Sequence, residues 1–316
     1  MSEPLIVFLD AATLPVPLLT VSAPHRWLAY PQTSPCDVVE RLQGATVVIT
    51  NKVPITRDML AQLPDLKLIA VAATGYNQID VAAAREYTVG VCNIRDYAIH
   101  GVAEHTLMLI LALRRQLLAY RQRLAAGEWQ DAAGFCLFAE PLHDLAGSRM
   151  AIIGSGALGQ ATANLARAFG MEVVFVERKG AAQVRPGFLA WEEALATADV
   201  MSLHCPLTEG TKNLIGATEL AQMKKSAILI NTARGGLVDE AALLVALQAG
   251  QIAGAGIDVL VTEPPRAGNV LLDVQLPNFI VTPHVAWASV ETMQTLADQL
   301  IGNVDAFLRG QPRHLV

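Results

Sequence analysis

The stretch that most restricts this chain is Ala151-Ile152-Ile153-Gly154-Ser155-Gly156-Ala157-Leu158-Gly159. A short apolar run ends in Gly-x-Gly-x-x-Gly and a helical pattern starts at once, with Leu158, Ala161, Leu165, Ala168 and Phe169 on one face. In a strand-turn-helix that holds a pyrophosphate, each glycine has a task. The first permits the tight turn, the second lets backbone approach the phosphates, and the third lets the helix pack on the strand. The helix N-terminus then offers N–H groups and a positive dipole end to the anion. By itself such a hexapeptide also fits an ordinary strand-to-helix turn, and the next strand separates the two readings. Val173-Val174-Phe175-Val176 ends in Glu177, 18 residues past Gly159. A carboxylate there is placed to accept from ribose hydroxyls. The pattern points to a nicotinamide dinucleotide site.

Length leaves room for more than this one unit. The 316 residues suffice for two domains with sizeable cores. Apolar residues make up 53% and charged ones only 16%, against a usual ~25%, as suits an Ala/Leu/Val-rich α/β enzyme. A net charge of −6 argues against a nucleic-acid binder, which would carry a basic face or stripe. No apolar run approaches the ~20 residues of a membrane span, and Met1-Ser2-Glu3-Pro4 leads straight into a strand without a signal segment. Cys36, Cys92, Cys136 and Cys205 lie far apart with no CxxC, as expected of reduced thiols in a cytoplasmic protein. No HExxH or Cys/His ligand spacing implies a metal.

Taken in order, residues 5–10, 27–30, 46–50, 66–72 and 90–94 read as short buried strands. Helical patterns fall between them at about 35–43, 56–63 and 78–86. Strands of continuous apolar residues alternating with helices mean a parallel sheet covered on both faces. One long helix is expected from Gly101 to Leu124, ending in a cluster of Arg114, Arg115, Arg121 and Arg123. Residues 125–147 lack a strong period but carry Trp129, Phe135, Phe138, Pro141 and Leu142, which favours an oligomer contact. Six further strands, at 149–153, 173–176, 199–204, 227–231, 254–259 and 279–282, match a doubly wound dinucleotide domain. The helix at 289–308 has no strand left to feed and is expected to return to the first domain. The expected division is 1–99 plus 287–316 for a substrate domain and 100–286 for a dinucleotide domain, with an arm at about 101–147. Both are α/β, doubly wound parallel-sheet domains, the first flavodoxin-like and the second Rossmann-type. Ligands are expected in the inter-domain cleft, outside the carboxyl ends of the strands.

The residues just past those strand ends are chemically pointed. His204-Cys205-Pro206-Leu207-Thr208 comes after the third strand of the second domain, and Asn231-Thr232-Ala233-Arg234-Gly235-Gly236 after the fourth. Asp258 and Glu263-Pro264 lie beyond the fifth, and Thr282-Pro283-His284 beyond the sixth. Arg234 presents a planar, permanently charged fork suited to a carboxylate. His284 can give a proton to a nascent alkoxide and take it back in reverse. Glu263 would orient His284 and favour its charged form through a hydrogen bond. His105 sits beside Glu104, but i,i+1 residues on a helix point apart, so a structural role is expected there.

Those motifs, with Val102-Ala103-Glu104-His105 and the run from Asn231 to Glu240, resemble the D-isomer-specific 2-hydroxyacid dehydrogenases over essentially the whole chain. The resemblance implies Arg234 as substrate anchor, Glu263 as the partner of the histidine, His284 as acid/base, and a homodimer. It implies cofactor contacts from Val102, the turn Gly154, Ser155, Gly156, Ala157, Leu158 and Gly159, and Glu177 and Arg178. It adds His204, Cys205, Pro206, Thr211, Thr232, Ala233, Asp258 and Ala286, with Asp258 receiving the nicotinamide carboxamide. It also implies that the loop Ala73-Thr74-Gly75-Tyr76 meets the substrate carboxylate through backbone N–H groups, so Thr74 and Gly75 are substrate candidates; such a loop binds an anion without adding charge. Asn51 and Lys52 point to the same edge, and an ordinary turn is the competing reading.

Thr282-Pro283-His284-Val285-Ala286-Trp287 and Thr50-Asn51-Lys52 are most similar to the glycerate dehydrogenase/hydroxypyruvate reductase branch. Trp287, three residues after the histidine, would wall off a small pocket, which suits hydroxypyruvate or glyoxylate; a plain domain-interface aromatic is the alternative. Glu177 favours NAD, while Arg178 and Lys179 could swing onto a 2′-phosphate, so NADP is also open. Two other readings stay in view: a dinucleotide-sensing regulatory protein on the same scaffold, and a formate- or phosphite-type dehydrogenase.

Overall fold

Short runs of Val, Ile and Leu with no polar interruption become the interior strands, because both faces of each are covered and every side chain must be apolar. The computed structural model describes residues 3–316. It divides into two compact units, one of residues up to Tyr97 with Ala288–Val316, the other Ala98–Trp287.

In the first unit, β1 (Leu5–Phe8), β2 (Arg26–Ala29), β3 (Val47–Thr50), β4 (Leu68–Val71) and β5 (Gly90–Cys92) form one parallel sheet in the order β2-β1-β3-β4-β5. The α-helices between these strands are α1 (Val38–Arg41), α2 (Arg57–Leu60) and α3 (Val81–Glu86), the last capped by Asp80, whose carboxylate accepts from Ala83 N. β1, β3 and β4 are buried at every position. Each fully buried Val, Ile or Leu there contributes roughly 1.5–3 kcal/mol through the water it leaves. The order 2-1-3-4-5 is the flavodoxin-like one, with its switch point between β1 and β3.

The second unit opens on α4 (Ile99–Arg114) and α5 (Leu117–Ala125). These replace the single helix expected over 101–124. The chain breaks at Gln116, which sits in the left-handed region at φ 54°. The apolar pattern runs through the break and cannot report it, since one residue of left-handed backbone redirects a helix without changing residue types. β6 (Arg149–Ile153), α6 (Ala157–Ala168), β7 (Glu172–Val176), β8 (Phe188–Leu189), α7 (Trp191–Thr197) and β9 (Val200–Leu203) come next. Then come α8 (Ala217–Gln222), β10 (Ile228–Asn231), α9 (Glu240–Gln248), β11 (Gly254–Ile257) and β12 (Phe279–Val281). The sheet has seven parallel strands in the order β12-β11-β10-β9-β6-β7-β8. The seventh, β8, is absent from the sequence reading because two residues on a sheet edge leave no hydrophobic period. The order is that of a doubly wound dinucleotide fold, reversing between β6 and β9. α10 (Val290–Leu308), capped by Ser289 accepting from Thr292 N, belongs to the first unit and packs on β4.

Parallel strands put all their carboxyl ends on one edge. In the second unit that edge carries Glu177, His204, Thr232, Asp258 and Thr282. α4 lies against β10, β11 and β12 and reaches the edge from beneath. Its Thr106 hydroxyl is 2.9 Å from the Thr232 hydroxyl. Among the described residues no helix is long and apolar enough to cross a membrane.

Candidate active site

The glycine turn after β6 is shaped by its neighbours. Gly154 has φ 109°, and a Cβ there would lie 2.4 Å from the His204 carbonyl oxygen. At Gly159 a Cβ would lie 2.1 Å from the Gly154 carbonyl oxygen. Only glycine fits either position, because the obstacles are backbone. Gly156, by contrast, faces open space. It is also the N-cap of α6, with no side chain capping the helix, so the first-turn N–H groups are left for an anion. A pinched turn, an open middle glycine and an uncapped helix fit the pyrophosphate of a dinucleotide.

His204 comes after β9 beside this turn, with its Nε2 2.9 Å from the Ser202 hydroxyl. Its Nδ1 is inaccessible and has no partner among the described residues, and burial pushes the imidazole down to about 4. It is therefore neutral at ordinary pH. Cys205 is half-buried, which raises its thiol. The loop beyond is braced by Thr211, whose hydroxyl donates to the Pro206 carbonyl at 2.7 Å and accepts from Thr208 N at 2.7 Å.

The acid/base candidates meet at the carboxyl ends of β11 and β12. His284 Nδ1 lies 2.5 Å from Glu263 Oε2. A carboxylate only accepts, so Nδ1 carries the proton and Nε2 is left as the ring's acceptor nitrogen. The other Glu263 oxygen accepts from Leu260 N at 2.8 Å, which fixes the carboxylate plane. Both side chains are about one-third exposed, at 31% and 33%, open enough to meet a ligand and packed enough to hold one orientation.

Asp258 holds this histidine in place from below. His284 has φ 56°, a left-handed conformation that costs a non-glycine residue free energy and persists only when neighbours impose it. Its N–H donates to the Asp258 carbonyl at 2.8 Å. The Asp258 carboxylate, 1% exposed, accepts from Val285 N at 3.0 Å, Ala286 N at 2.9 Å and the Thr282 hydroxyl at 2.5 Å. An ionised carboxylate has about four acceptor positions, so one stays open on Oδ2.

His105 joins the same cluster. Its Nε2 is 3.0 Å from the Thr282 hydroxyl and 3.6 Å from Asp258. Since Thr282 gives its proton to Asp258, His105 is the donor to Thr282. Burial holds its imidazole below the ordinary value, with Asp258 opposing. The neighbour at i+1 is therefore the wrong place to look for its partner; that partner comes from a strand end far along the chain.

Arg234 comes after β10 and is exposed. One guanidinium N–H donates to the Ala233 carbonyl at 2.7 Å, leaving the others uncommitted among the described residues. Its backbone is set by Asn231, which donates to the Arg234 carbonyl at 2.9 Å and accepts from Ala233 N at 3.1 Å. At Gly235 a Cβ would lie 1.9 Å from the Leu260 carbonyl oxygen, so the Arg234 loop and the Glu263 loop pack backbone on backbone. Glu240, in the first turn of α9, adds a clamp by accepting from Val261 N at 2.8 Å and from Asn269 Nδ2 at 2.7 Å. Asn231, Glu240 and His105 position this site, and none was readable from a motif as doing so.

Glu177, at the end of β7, is buried and bound by its own chain. Arg185 forks onto both its oxygens, Nε at 2.6 Å and Nη2 at 2.9 Å. Arg178 N at 2.8 Å and Arg185 N at 3.2 Å complete the set. The Arg185 fork and then the Arg178 N–H hold the carboxyl down at about 2. The sequence analysis expects this carboxylate at a ribose; in the structure it is paired with Arg185.

In the first unit, Asn51 and Lys52 form the turn after β3, organised by the buried Asp10 at the end of β1. Its carboxylate accepts from Asn51 N at 2.9 Å and Lys52 N at 2.7 Å. Thr74, after β4, donates its hydroxyl to the Ile94 carbonyl at 2.9 Å, while Asn93 Nδ2 donates to the Thr74 carbonyl at 2.8 Å. The loop holding Thr74 and Gly75 is thus braced against the strand next to it. Val102 is buried in the first turns of α4, and Trp287, half-buried, closes the second unit.

Residues 107–286 match the family model of the D-isomer specific 2-hydroxyacid dehydrogenase NAD binding domain. A glycerate dehydrogenase of Methylorubrum extorquens is 52% identical over 98% of both chains. A hydroxypyruvate reductase of Blautia hydrogenotrophica is 36% identical over 92% of this chain and 91% of its own. The crystal structure of the TT0316 protein from Thermus thermophilus, 33% identical, superposes with a TM-score of 0.85 over 99% of both chains. The chain belongs to the D-isomer specific 2-hydroxyacid dehydrogenase family. It is an NAD(P)-dependent oxidoreductase acting on the CH–OH group of a 2-hydroxy acid.

Proposed function

We propose that this enzyme reduces a small 2-keto acid, hydroxypyruvate or glyoxylate, to the D-2-hydroxy acid, with His284 as acid and base. The observation that carries it is the His284–Glu263 pair, 2.5 Å apart, on the same sheet edge as the uncommitted guanidinium of Arg234. The bound dinucleotide supplies the hydride, or takes it up in reverse. The residues that would hold it are the turn from Gly154 to Gly159, Val102, the strand-end loops at His204, Cys205, Pro206 and Thr211, Thr232 and Ala233, and Asp258 and Ala286. Arg178 would meet its adenosine end.

Each remaining role rests on one side chain. Glu263 keeps the His284 proton on Nδ1, so Nε2 is the atom that delivers a proton to the carbonyl oxygen as charge develops there. In the opposite direction Nε2 removes it. Arg234 receives the substrate carboxylate on its fork and excludes neutral carbonyl compounds by leaving a charge unpaired when they bind. Asn51, Lys52, Thr74 and Gly75 are proposed as further substrate contacts, and Trp287 as the wall that limits substrate size. The names of the two relatives, glycerate dehydrogenase and hydroxypyruvate reductase, support the choice of a short hydroxylated substrate.

The test is a panel of hydroxypyruvate, glyoxylate, pyruvate and 2-oxoisovalerate, each with NADH and NADPH. The two small acids should have the highest kcat/KM and the branched one the lowest. Equal rates with 2-oxoisovalerate would remove Trp287 as a size filter, and no reduction of any would remove the substrate class.

We further propose a homodimer, with the arm as its contact. Phe135 and Phe138 are 92% and 91% exposed, with Trp129 and Leu142 beside them in sequence also exposed. Such aromatics gain by burial against a second copy. Light scattering should give twice 33.7 kDa, and a Phe135→Ser/Phe138→Ser variant should shift toward monomer. All four cysteines are free thiols and Cys36 is exposed, which supports a reducing compartment, the cytoplasm.

A further inference from the structure

The carboxyl end of β7 is where a doubly wound fold distinguishes a free ribose 2′-hydroxyl from a 2′-phosphate. Three charged residues lie there in sequence, and the structure treats them differently. Glu177 has its four acceptor positions filled, two on each oxygen, all by N–H groups of Arg178 and Arg185. Arg185 is itself held on its far side, its guanidinium stacked 3.9 Å over the Phe188 ring of β8. Phe188 in turn packs on Phe175 of β7, ring centroids 6.1 Å apart. Lys179 is taken by Glu219 at 2.7 Å, the residue whose other oxygen accepts from Gly216 N ahead of α8. Arg178 is exposed, and its side chain has no hydrogen bond or ion pair among the described residues.

An aspartate or glutamate at this point rejects a 2′-phosphate in two ways. It accepts from the free hydroxyl, and its charge repels the phosphate. Here both are cancelled, since a carboxylate with four donors in place has nothing left to accept with and its charge is matched by a forked arginine. The charge left over is that of Arg178.

We propose that Arg185 is the positioning residue that sets cofactor choice, by locking Glu177 so that Arg178 admits the 2′-phosphorylated dinucleotide. This rests on the dinucleotide reading of the site and extends the sequence-based expectation of NAD, with NADP open, to use of both. The chain then binds both forms with similar affinity. The extra strand β8 has a role in it, because it carries the ring on which Arg185 is seated.

Calorimetric titration of the intact enzyme with NAD+ and NADP+, in the absence of any keto acid, tests this without turnover. The wild type should bind the two within about tenfold of each other. Arg178→Ala should weaken NADP+ by about tenfold or more beyond whatever it costs NAD+, since a hydrogen bond to a charged group is lost only for the phosphate. Arg185→Met keeps an apolar contact with Phe188 and frees Glu177. It should shift the ratio toward NAD+ by about tenfold or more, and adding Glu177→Gln should abolish that shift. Arg185→Lys, with charge but no fork, serves if the methionine variant does not fold, and should shift the ratio in the same direction. A wild-type preference for NAD+ beyond tenfold, or a ratio that neither Arg178→Ala nor the Arg185 variants change, overturns the proposal. Failure of both dinucleotides to bind would instead overturn the cofactor reading of the site.

Discussion

Replacing His284 with asparagine is expected to lower kcat for keto-acid reduction by about 10²–10⁴-fold, the usual worth of a positioned proton donor. Asparagine is the informative choice because the residue sits at φ 56°, and asparagine tolerates left-handed backbone better than most side chains. The Asp258 carboxylate clamps Val285 and Ala286 through their N–H groups, so the loop has a reason to keep its shape. Dinucleotide affinity should then be unchanged, which calorimetry can read. Glu263→Gln should have a milder effect of the same kind, since an amide can still accept from Nδ1–H but no longer balances an imidazolium. A His284→Asn enzyme with wild-type kcat would end the assignment outright.

Arg234→Ala is expected to reduce kcat/KM for the keto acid by about 10²–10³-fold, the scale of removing one partner of a hydrogen-bonded charge pair. Arg234→Lys should recover only part of this, because an ammonium supplies charge but not the planar pair of donors. Added guanidinium ion should rescue the alanine variant more than the lysine one. The prediction is clean because Arg234 contributes little to the fold: its guanidinium is exposed and donates only to the adjacent Ala233 carbonyl. Melting temperature should therefore hold while KM rises. Unchanged KM in Arg234→Ala would show that the substrate carboxylate is bound elsewhere.

Both predictions concern residues whose neighbours do much of the work. Asp258 imposes the His284 backbone, Asn231 sets the Arg234 loop, and Glu240 ties down the segment leading to Glu263. Gly235 permits the contact between the two loops, since its missing Cβ leaves room for the Leu260 carbonyl. Substitutions at these positions would be felt at the site although none of the four need touch a substrate.

Local chemistry was legible in the sequence. Alternating apolar runs and helical periods gave the two parallel sheets, because strands covered on both faces admit only apolar residues. The glycines of the turn from Gly154 to Gly159 announced a pinched backbone, because no other residue fits beside a carbonyl oxygen. The set of residues ending β10, β11 and β12 came from counting past each strand. The tertiary structure decided what residues distant in sequence do to one another. It broke the long helix at Gln116 and added β8 to the sheet edge. It brought His105 to Thr282 across 177 positions and closed Arg185 onto Glu177. For these last two pairs the deciding quantity is whether a polar group's donors and acceptors are already spent, and that depends on neighbours. Glu177 illustrates the division: its place at a strand end is written in the chain, and its pairing with Arg185 is a property of the fold.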